Sequence, residues 1–426
     1  MSNSAPTPTP APLGALREVP FMGVIYVVHE ASKLGFRNGH PDWCNLGQGQ
    51  PEVGPMAGAP PRISAVEIKP EDHAYGPLGG TEEFRGAVAA HYNRLYRGGR
   101  TPYTAANVCA AQGGRLTLTR VMAALGRVNV GYLLPDYTAY EDMFETHLAR
   151  LNPVPIRGRA EDGFTFTAAR LLAEIDAQKL AALVLSNPCN PTGNVIQGEE
   201  LRQLVDGARA RGTTLIMDEF YSHFIYTTDG KPGAGPVSAA PFIGDVEKDP
   251  VIIVDGLTKN YRYPGWRVGW AVGPSALMEN IARTASAIDG GPSRIAQRAA
   301  LAALVPAQAD QETNALREVF AAKRNLMISR LKAMGVTFAR ESESTFYVWG
   351  SLEKLPAPLN DAMTFFRRAL DSKVMTVPGQ FFDVNPGKRR AGPPAYTQWM
   401  RFSFGPPMDN LKLGLDRLEA MILAAK

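Results

Sequence analysis

The sequence predicts an α/β protein: a mostly parallel central sheet with helices on both faces, joined to a smaller C-terminal α+β domain. Three observations carry this expectation. From about Tyr75 onward, short apolar runs alternate with longer amphipathic stretches, as in βαβ units. The runs are apolar at nearly every position, as strands covered on both faces must be. A chain of 426 residues exceeds what one hydrophobic core usually serves, so a large and a small core are expected.

Taken in order, residues 1–19 form a Ser/Thr/Pro/Ala tract expected to be a disordered tail. Residues 20–60 read as an N-terminal arm that belongs with the small domain; within it, apolar residues recur at helix-like intervals over 21–34. The large domain is expected over 61–295. Its strand candidates are 131–134, 180–186, 214–218, 251–255 and 267–272, with a helix candidate at 198–211. That helix carries Glu199, Glu200 and Arg202 early and Arg209 and Arg211 late, which suits the helix dipole except at Arg202. The small domain, 296–426, is expected to open with a long helical stretch that starts at Pro292 and runs through 308–334, followed by short strand candidates at 336–338 and 346–349.

Composition excludes several function classes. A net charge of +4, with no basic run interleaved with aromatics, argues against nucleic acid as a partner. Lys388-Arg389-Arg390 lies between Asn385-Pro386-Gly387 and Gly392-Pro393-Pro394 and reads as a solvated loop. Cys44, Cys109 and Cys189 are too few and too scattered for a disulfide framework or closed metal site, so a reducing, cytoplasmic setting is expected. The first twelve residues lack the basic start and apolar centre of a secretory signal, and no apolar run is long enough to span a membrane. The six histidines never recur at ligand spacing, so no metal is expected; His223 is the one expected nearest the functional site.

Four polar clusters interrupt this apolar pattern: Gly113-Gly114-Arg115, Asn187-Pro188-Cys189-Asn190-Pro191-Thr192-Gly193, Asp218-Glu219-Phe220-Tyr221, and Thr258-Lys259 followed by Pro264-Gly265-Trp266-Arg267. Three directly follow a strand candidate. Ligands of open α/β sheets collect at the carboxyl ends of strands, so these clusters are expected to converge.

Together the clusters resemble those of the class I and II aminotransferases, fold type I of the pyridoxal-phosphate enzymes, from Leu46-Gly47-Gln48-Gly49 to Arg401. The resemblance implies pyridoxal 5'-phosphate as cofactor, with Lys259 as the lysine that holds it as a Schiff base and moves the substrate proton. Asp218 matches the partner of the pyridine nitrogen. Tyr221 and Asn190 match the donors to the ring oxygen, and Tyr137 the aromatic that stacks on the ring. Gly114, Arg115, Thr258 and Arg267 match the phosphate cup. Tyr75 matches a tyrosine that reaches the phosphate across a homodimer interface. Arg401 matches the clamp on the substrate carboxylate, with Gly49 and Asn190 beside it. The implied activity is ping-pong transfer of an amino group from an L-amino acid to a 2-oxo acid.

The same constellation also resembles lyases, cyclising synthases and amino-acid oxidases or hydroxylases of this fold. The chain departs from the family at Gly256, where a second phosphate-binding hydroxyl often stands. Cys189 occupies a variable position of its motif and reads as packing. Around 21–26, Phe21, Met22, Val24, Ile25 and Tyr26 suit either an apolar side-chain pocket or plain core packing. No second arginine that would select a dicarboxylic substrate is identifiable, with Arg37, Arg115, Arg262 and Arg294 left open.

Overall fold

The computed structural model describes Val19, Phe21 and residues 23–425. The expected tail, up to residue 18, and Met22 therefore lie outside the described residues. A helix at Gly23–Lys33 is followed by a short strand, β1 (Cys44–Asn45). The large sheet then gathers seven strands: β2 (Val108–Ala111), β3 (Val128–Leu134), β4 (Leu151–Arg157), β5 (Ala182–Ser186), β6 (Thr214–Asp218), β7 (Val251–Gly256) and β8 (Gly269–Val272). They pair in the order β2-β8-β7-β6-β5-β3-β4. All pairs are parallel except those made by β8, which is antiparallel to both neighbours.

The all-apolar composition of the inner strands has the expected cause. Every residue of β5 and β7 is buried, because helices cover both sheet faces. Leu183, Leu185, Leu215 and Ile253 face one core with the helix Gly198–Arg211, while Val184, Ile216 and Val254 face the other. Two strands escape a reading by composition. β4 carries Pro153 and Pro155, and it can do so because it is the sheet edge, where a missing N–H costs no ladder bond. β2 is only four residues long.

The small sheet is antiparallel, in the order β11 (Val377–Pro378), β12 (Trp399–Ser403), β9 (Tyr347–Ser351). A further pair joins β1 to β10 (Val374–Met375), so the arm contributes a strand beside C-terminal residues. The long helix spans Pro306–Met334 and ends at Gly335, in the left-handed region at φ 100°. The expected strand at 336–338 is reduced to one bridge, Thr337 to Ser351.

Other expectations need correction. Arg267 is not in β8; it adopts a left-handed conformation (φ 53°) ahead of the strand. Residue 180 precedes β5. Lys388-Arg389-Arg390 is not simply solvated: Lys388 pairs with the buried Glu141, and Arg390 with Asp383 at 2.8 Å. Arg202 fits its helix after all, since it bonds Glu199 one turn before and Asp206 one turn after, at 2.8 Å each. All three cysteines are free and buried. Among the described residues no helix is long and apolar enough to cross a membrane, and no cluster of potential metal ligands forms.

Candidate functional site

Register brings the chemistry together. Ser186 at the end of β5 lies opposite Asp218 at the end of β6, and Asp218 opposite Val254 of β7. The turns that follow these three ends carry Asn190, Tyr221 and Lys259. Together with the β12 residue Arg401 they line one cavity of about 400 Å³, within the usual size of a small-molecule site. Asp218, Gly49, Gly114, Arg115, Tyr137, Thr258 and Arg267 line it as well, which leaves Tyr75 alone of the expected set outside.

Lys259 is the centre of this arrangement. Its Nζ donates to the Gly49 carbonyl. Burial pushes the amine down to about 7, and the cations Arg401, Arg267 and Arg115 push in the same direction. Such an amine is substantially neutral near pH 7, as a nucleophile or a proton acceptor must be.

Asp218 is also buried. Its Oδ2 accepts from Tyr140 Oη at 2.9 Å, and burial lifts its carboxyl to about 6. A buried carboxylate of this kind is best satisfied by a cationic N–H from the cavity. Tyr221 Oη lies 2.7 Å from Tyr347 Oη.

Arg401 is almost fully buried. Nη1 donates to Asn190 Oδ1 at 2.8 Å and Nη2 to the Gly47 carbonyl at 2.5 Å, while its ring neighbour Tyr347 lies 4.1 Å from the guanidinium. Nε has no partner among the described residues, and neither Arg401 nor Arg267 is in an ion pair there. Two guanidinium groups that face one cavity, neither of them paired with a carboxylate among the described residues, suit anions.

The residues expected to cup a phosphate, Gly114, Arg115, Thr258 and Arg267, line the same cavity. Gly113, at φ 81°, opens the helix Gly114–Ala124; a Cβ there would sit 2.4 Å from Arg267 Nη2, so only glycine lets that guanidinium lie against the helix start. Thr258 Oγ1 is buried with no hydrogen-bond partner, an orphan that a phosphate oxygen would satisfy. Arg115 Nε donates to Tyr137 Oη at 3.2 Å. Gly256 also has a physical reason. A Cβ there would lie 2.5 Å from the Val268 carbonyl and 3.0 Å from the Phe220 ring, so no hydroxyl side chain fits and Phe220 fills the space.

Three buried groups were not legible as site residues. Tyr140 bonds Asp218. Asp136 accepts from the Tyr137 amide at 2.7 Å and from Ser186 Oγ, while Asn190 N donates to that same Oγ at 3.2 Å. Asp136 thus ties the Tyr137 loop to the Asn190 loop, and burial lifts its carboxyl to about 8. Tyr347, from β9, lines the cavity. None belongs to a spaced motif; only the extra tyrosine three residues after Tyr137 was a signal.

Other expected residues fall outside. Tyr75 does not line this cavity and is fully exposed. His223 is absent from the lining; its Nδ1 pairs with Thr313 Oγ1 at 2.9 Å, and burial pushes its pKa well below the usual value. Arg262 is spent on Glu312 at 2.5 Å and Arg294 lies beside Asp72, so of the four arginines left open only Arg115 lines the cavity. Val24 and Ile25 line it too, and Val24 also packs against the core, so the first helix serves both readings.

Comparison with known proteins places the chain among relatives of one family. Residues 41–418 match the family model "Aminotransferase class I and II". An aspartate aminotransferase of Sulfurisphaera tokodaii is 26% identical over 392 residues, covering 89% of each chain. An LL-diaminopimelate aminotransferase of Desulforudis audaxviator is 30% identical, over 79% of this chain and 82% of its own. Among solved structures, the aspartate aminotransferase from Thermus thermophilus with maleate superposes with a TM-score of 0.76 at 25% identity, covering 95% of this chain and all of its own.

Proposed function

The chain belongs to the class I and II aminotransferases, and from that premise we propose that it binds pyridoxal phosphate in this cavity and that Lys259 serves the transfer of an amino group from an L-amino acid to a 2-oxo acid. The observation that carries the reading is the buried Lys259 amine, pushed down to about 7 beside Asp218, Tyr221 and three arginines in one cavity. When bound, pyridoxal phosphate supplies a carbonyl carbon that condenses reversibly with amines and a ring that draws electron density from the substrate α-carbon.

The chain's own groups have the following parts. Thr258 Oγ1, the amides that open the helix at Gly114 and Arg115, and the Arg267 guanidinium would hold the phosphate. Asp218, fixed by Tyr140, would pair with the pyridine nitrogen and keep it protonated; Tyr221 Oη and the Asn190 side chain would serve the ring oxygen, and Tyr137 would offer its ring for stacking. Arg401 receives the substrate carboxylate, its fork aimed by Asn190 Oδ1 and the Gly47 carbonyl, with Gly49 alongside. Lys259 Nζ then takes the proton from the substrate α-carbon. Val24, Ile25, Leu118 and Phe220 exclude water from that transfer.

In this reading residues 61–295 form the large cofactor domain, while 20–60 and 296–426 form the small one; the pairing of β1 with β10 supports placing the arm there. The fully exposed Tyr75 supports a homodimer in which each copy lends this ring to its partner's phosphate. Three free buried thiols support a cytoplasmic setting. Relatives named for different amino acids leave the substrate side chain open within this family.

The test is an absorbance spectrum of purified protein with added pyridoxal phosphate. A visible band that is lost in Lys259→Ala, and that an amino acid discharges in a single turnover without oxygen uptake or ammonia release, is expected. No band in the wild type refutes the proposal.

A further inference from the structure

Tyr347 belongs to no sequence motif and sits on β9 of the small sheet, yet its hydroxyl reaches the middle of the site. The side chain is fully buried. Its Oη lies 2.7 Å from Tyr221 Oη, its one side-chain hydrogen-bond partner among the described residues. Gly49 packs against it closely enough that a Cβ there would be 2.3 Å from this oxygen, so the hydroxyl has no room to swing away. The ring is held from the other side by the Arg401 guanidinium, and the neighbouring strand β12 pairs Ser403 with Tyr347 in register.

Proton counting decides what such a pair can do. Two tyrosine hydroxyls hold two protons, and one lies between the oxygens. If Tyr221 supplied it, Tyr221 Oη would offer the cavity only lone pairs and could not donate to the cofactor's ring oxygen, the part the cofactor reading gives it. If Tyr347 supplies it, both protons are used: Tyr347 donates to Tyr221, and the Tyr221 proton is left to point into the cavity. A hydroxyl that accepts one hydrogen bond becomes a stronger donor of its own.

We infer that Tyr347 is a positioning residue that acts through Tyr221: its hydroxyl donates to Tyr221 Oη, turns the Tyr221 proton toward the cavity and strengthens its donation to the cofactor's ring oxygen. The inference rests on the cofactor reading given above. The other titratable and charged groups facing the pair are Arg401 from β12, Lys259 and Arg267 from the turns after β7, Asp218 from β6, Tyr137 from the turn after β3 and Arg115 from the helix Gly114–Ala124. None of them bonds Tyr347 Oη. Because Tyr347 and Arg401 lie on adjacent strands, the small-sheet element that takes the substrate carboxylate also sets the donor strength at the ring oxygen.

The test is a pH titration of the visible band of the holoenzyme. That band follows the proton shared between Lys259 Nζ and the cofactor's ring oxygen; a donor at the oxygen favours the form that has lost the proton, so losing a donor raises the midpoint. Tyr347→Phe, which keeps the ring beneath Arg401, is expected to raise the midpoint by about half a unit to one unit, the size of one neutral hydrogen bond. Tyr221→Phe raises it further, and the double variant matches Tyr221→Phe alone. An unchanged midpoint in Tyr347→Phe, or a shift that persists in the Tyr221→Phe background, overturns the inference. Should Tyr347→Phe fail to fold, 3-fluorotyrosine placed at 347 keeps the shape with a more acidic hydroxyl and must lower the midpoint; a midpoint that stays or rises is equally fatal. A wild type without a band removes the cofactor reading itself, and this inference with it, whereas a normal band with an inert Tyr347 removes only the inference.

Discussion

Lys259 offers the sharpest quantitative test, made on the protein without cofactor. An ordinary lysine amine titrates near 10.5, and burial with three nearby arginines brings this one to about 7. At pH 7 the neutral fraction therefore moves from about one in 3,000 to about one half, a gain of roughly three orders of magnitude in nucleophile. The amine can be followed directly by reductive methylation with labelled formaldehyde and the pH dependence of the dimethyl-lysine signal, assigned by its loss in Lys259→Arg. A midpoint within about one unit of 7 is expected. Arg401→Met, which removes the cation that acts most strongly after burial itself, is expected to raise it. A wild-type midpoint above about 9 refutes the reasoning, because the pocket would then be hydrating the ammonium rather than excluding water from it.

Three other expectations follow from the same geometry. Asp218, at about 6 in the folded apoprotein against 3.8 ordinarily, binds more protons folded than unfolded between those values, so its contribution to stability is present below about pH 4 and is lost as pH rises through 6; urea midpoints across that window should fall less steeply in Asp218→Asn. Gly256→Ser should lower stability by about 1–3 kcal/mol, read from the urea midpoint at constant slope, because its Cβ meets the Val268 carbonyl and the Gly269 backbone. Unchanged stability would show that β7 and β8 can separate at no cost. Arg401→Lys replaces a fork held by Asn190 Oδ1 and Gly47 with a point charge, and kcat/KM for amino-acid substrates should fall about 10- to 150-fold, the value of one charge-assisted bond.

Much of this was legible in the sequence for a definite reason. Strands buried on both faces must be apolar throughout, so β5, β6 and β7 announced themselves, and the polar residues that interrupt them at Asp218 and beyond stood out as the strand ends where ligands collect. β4 did not, because its prolines are tolerated only at an edge and edge position is a property of pairing. His223 misled for a related cause: two residues from Tyr221 along the chain, it turns away to Thr313 on the long helix.

The sequence by itself determined the fold class and the four clusters, since these depend on local periodicity and on residue type, and the family resemblance of those clusters named the groups expected to do chemistry. Only the tertiary structure decided their surroundings. That Tyr140 fixes Asp218, that Asp136 ties the Tyr137 loop to Asn190, that Phe220 fills the space over Gly256, and that Tyr347 meets Tyr221 from 126 residues away all depend on register across strands and on contact between the two sheets. Those same contacts set the desolvation of Lys259. A lysine's place in a motif names its chemistry, but its pKa comes from the water that folding removes and the charges that folding brings near.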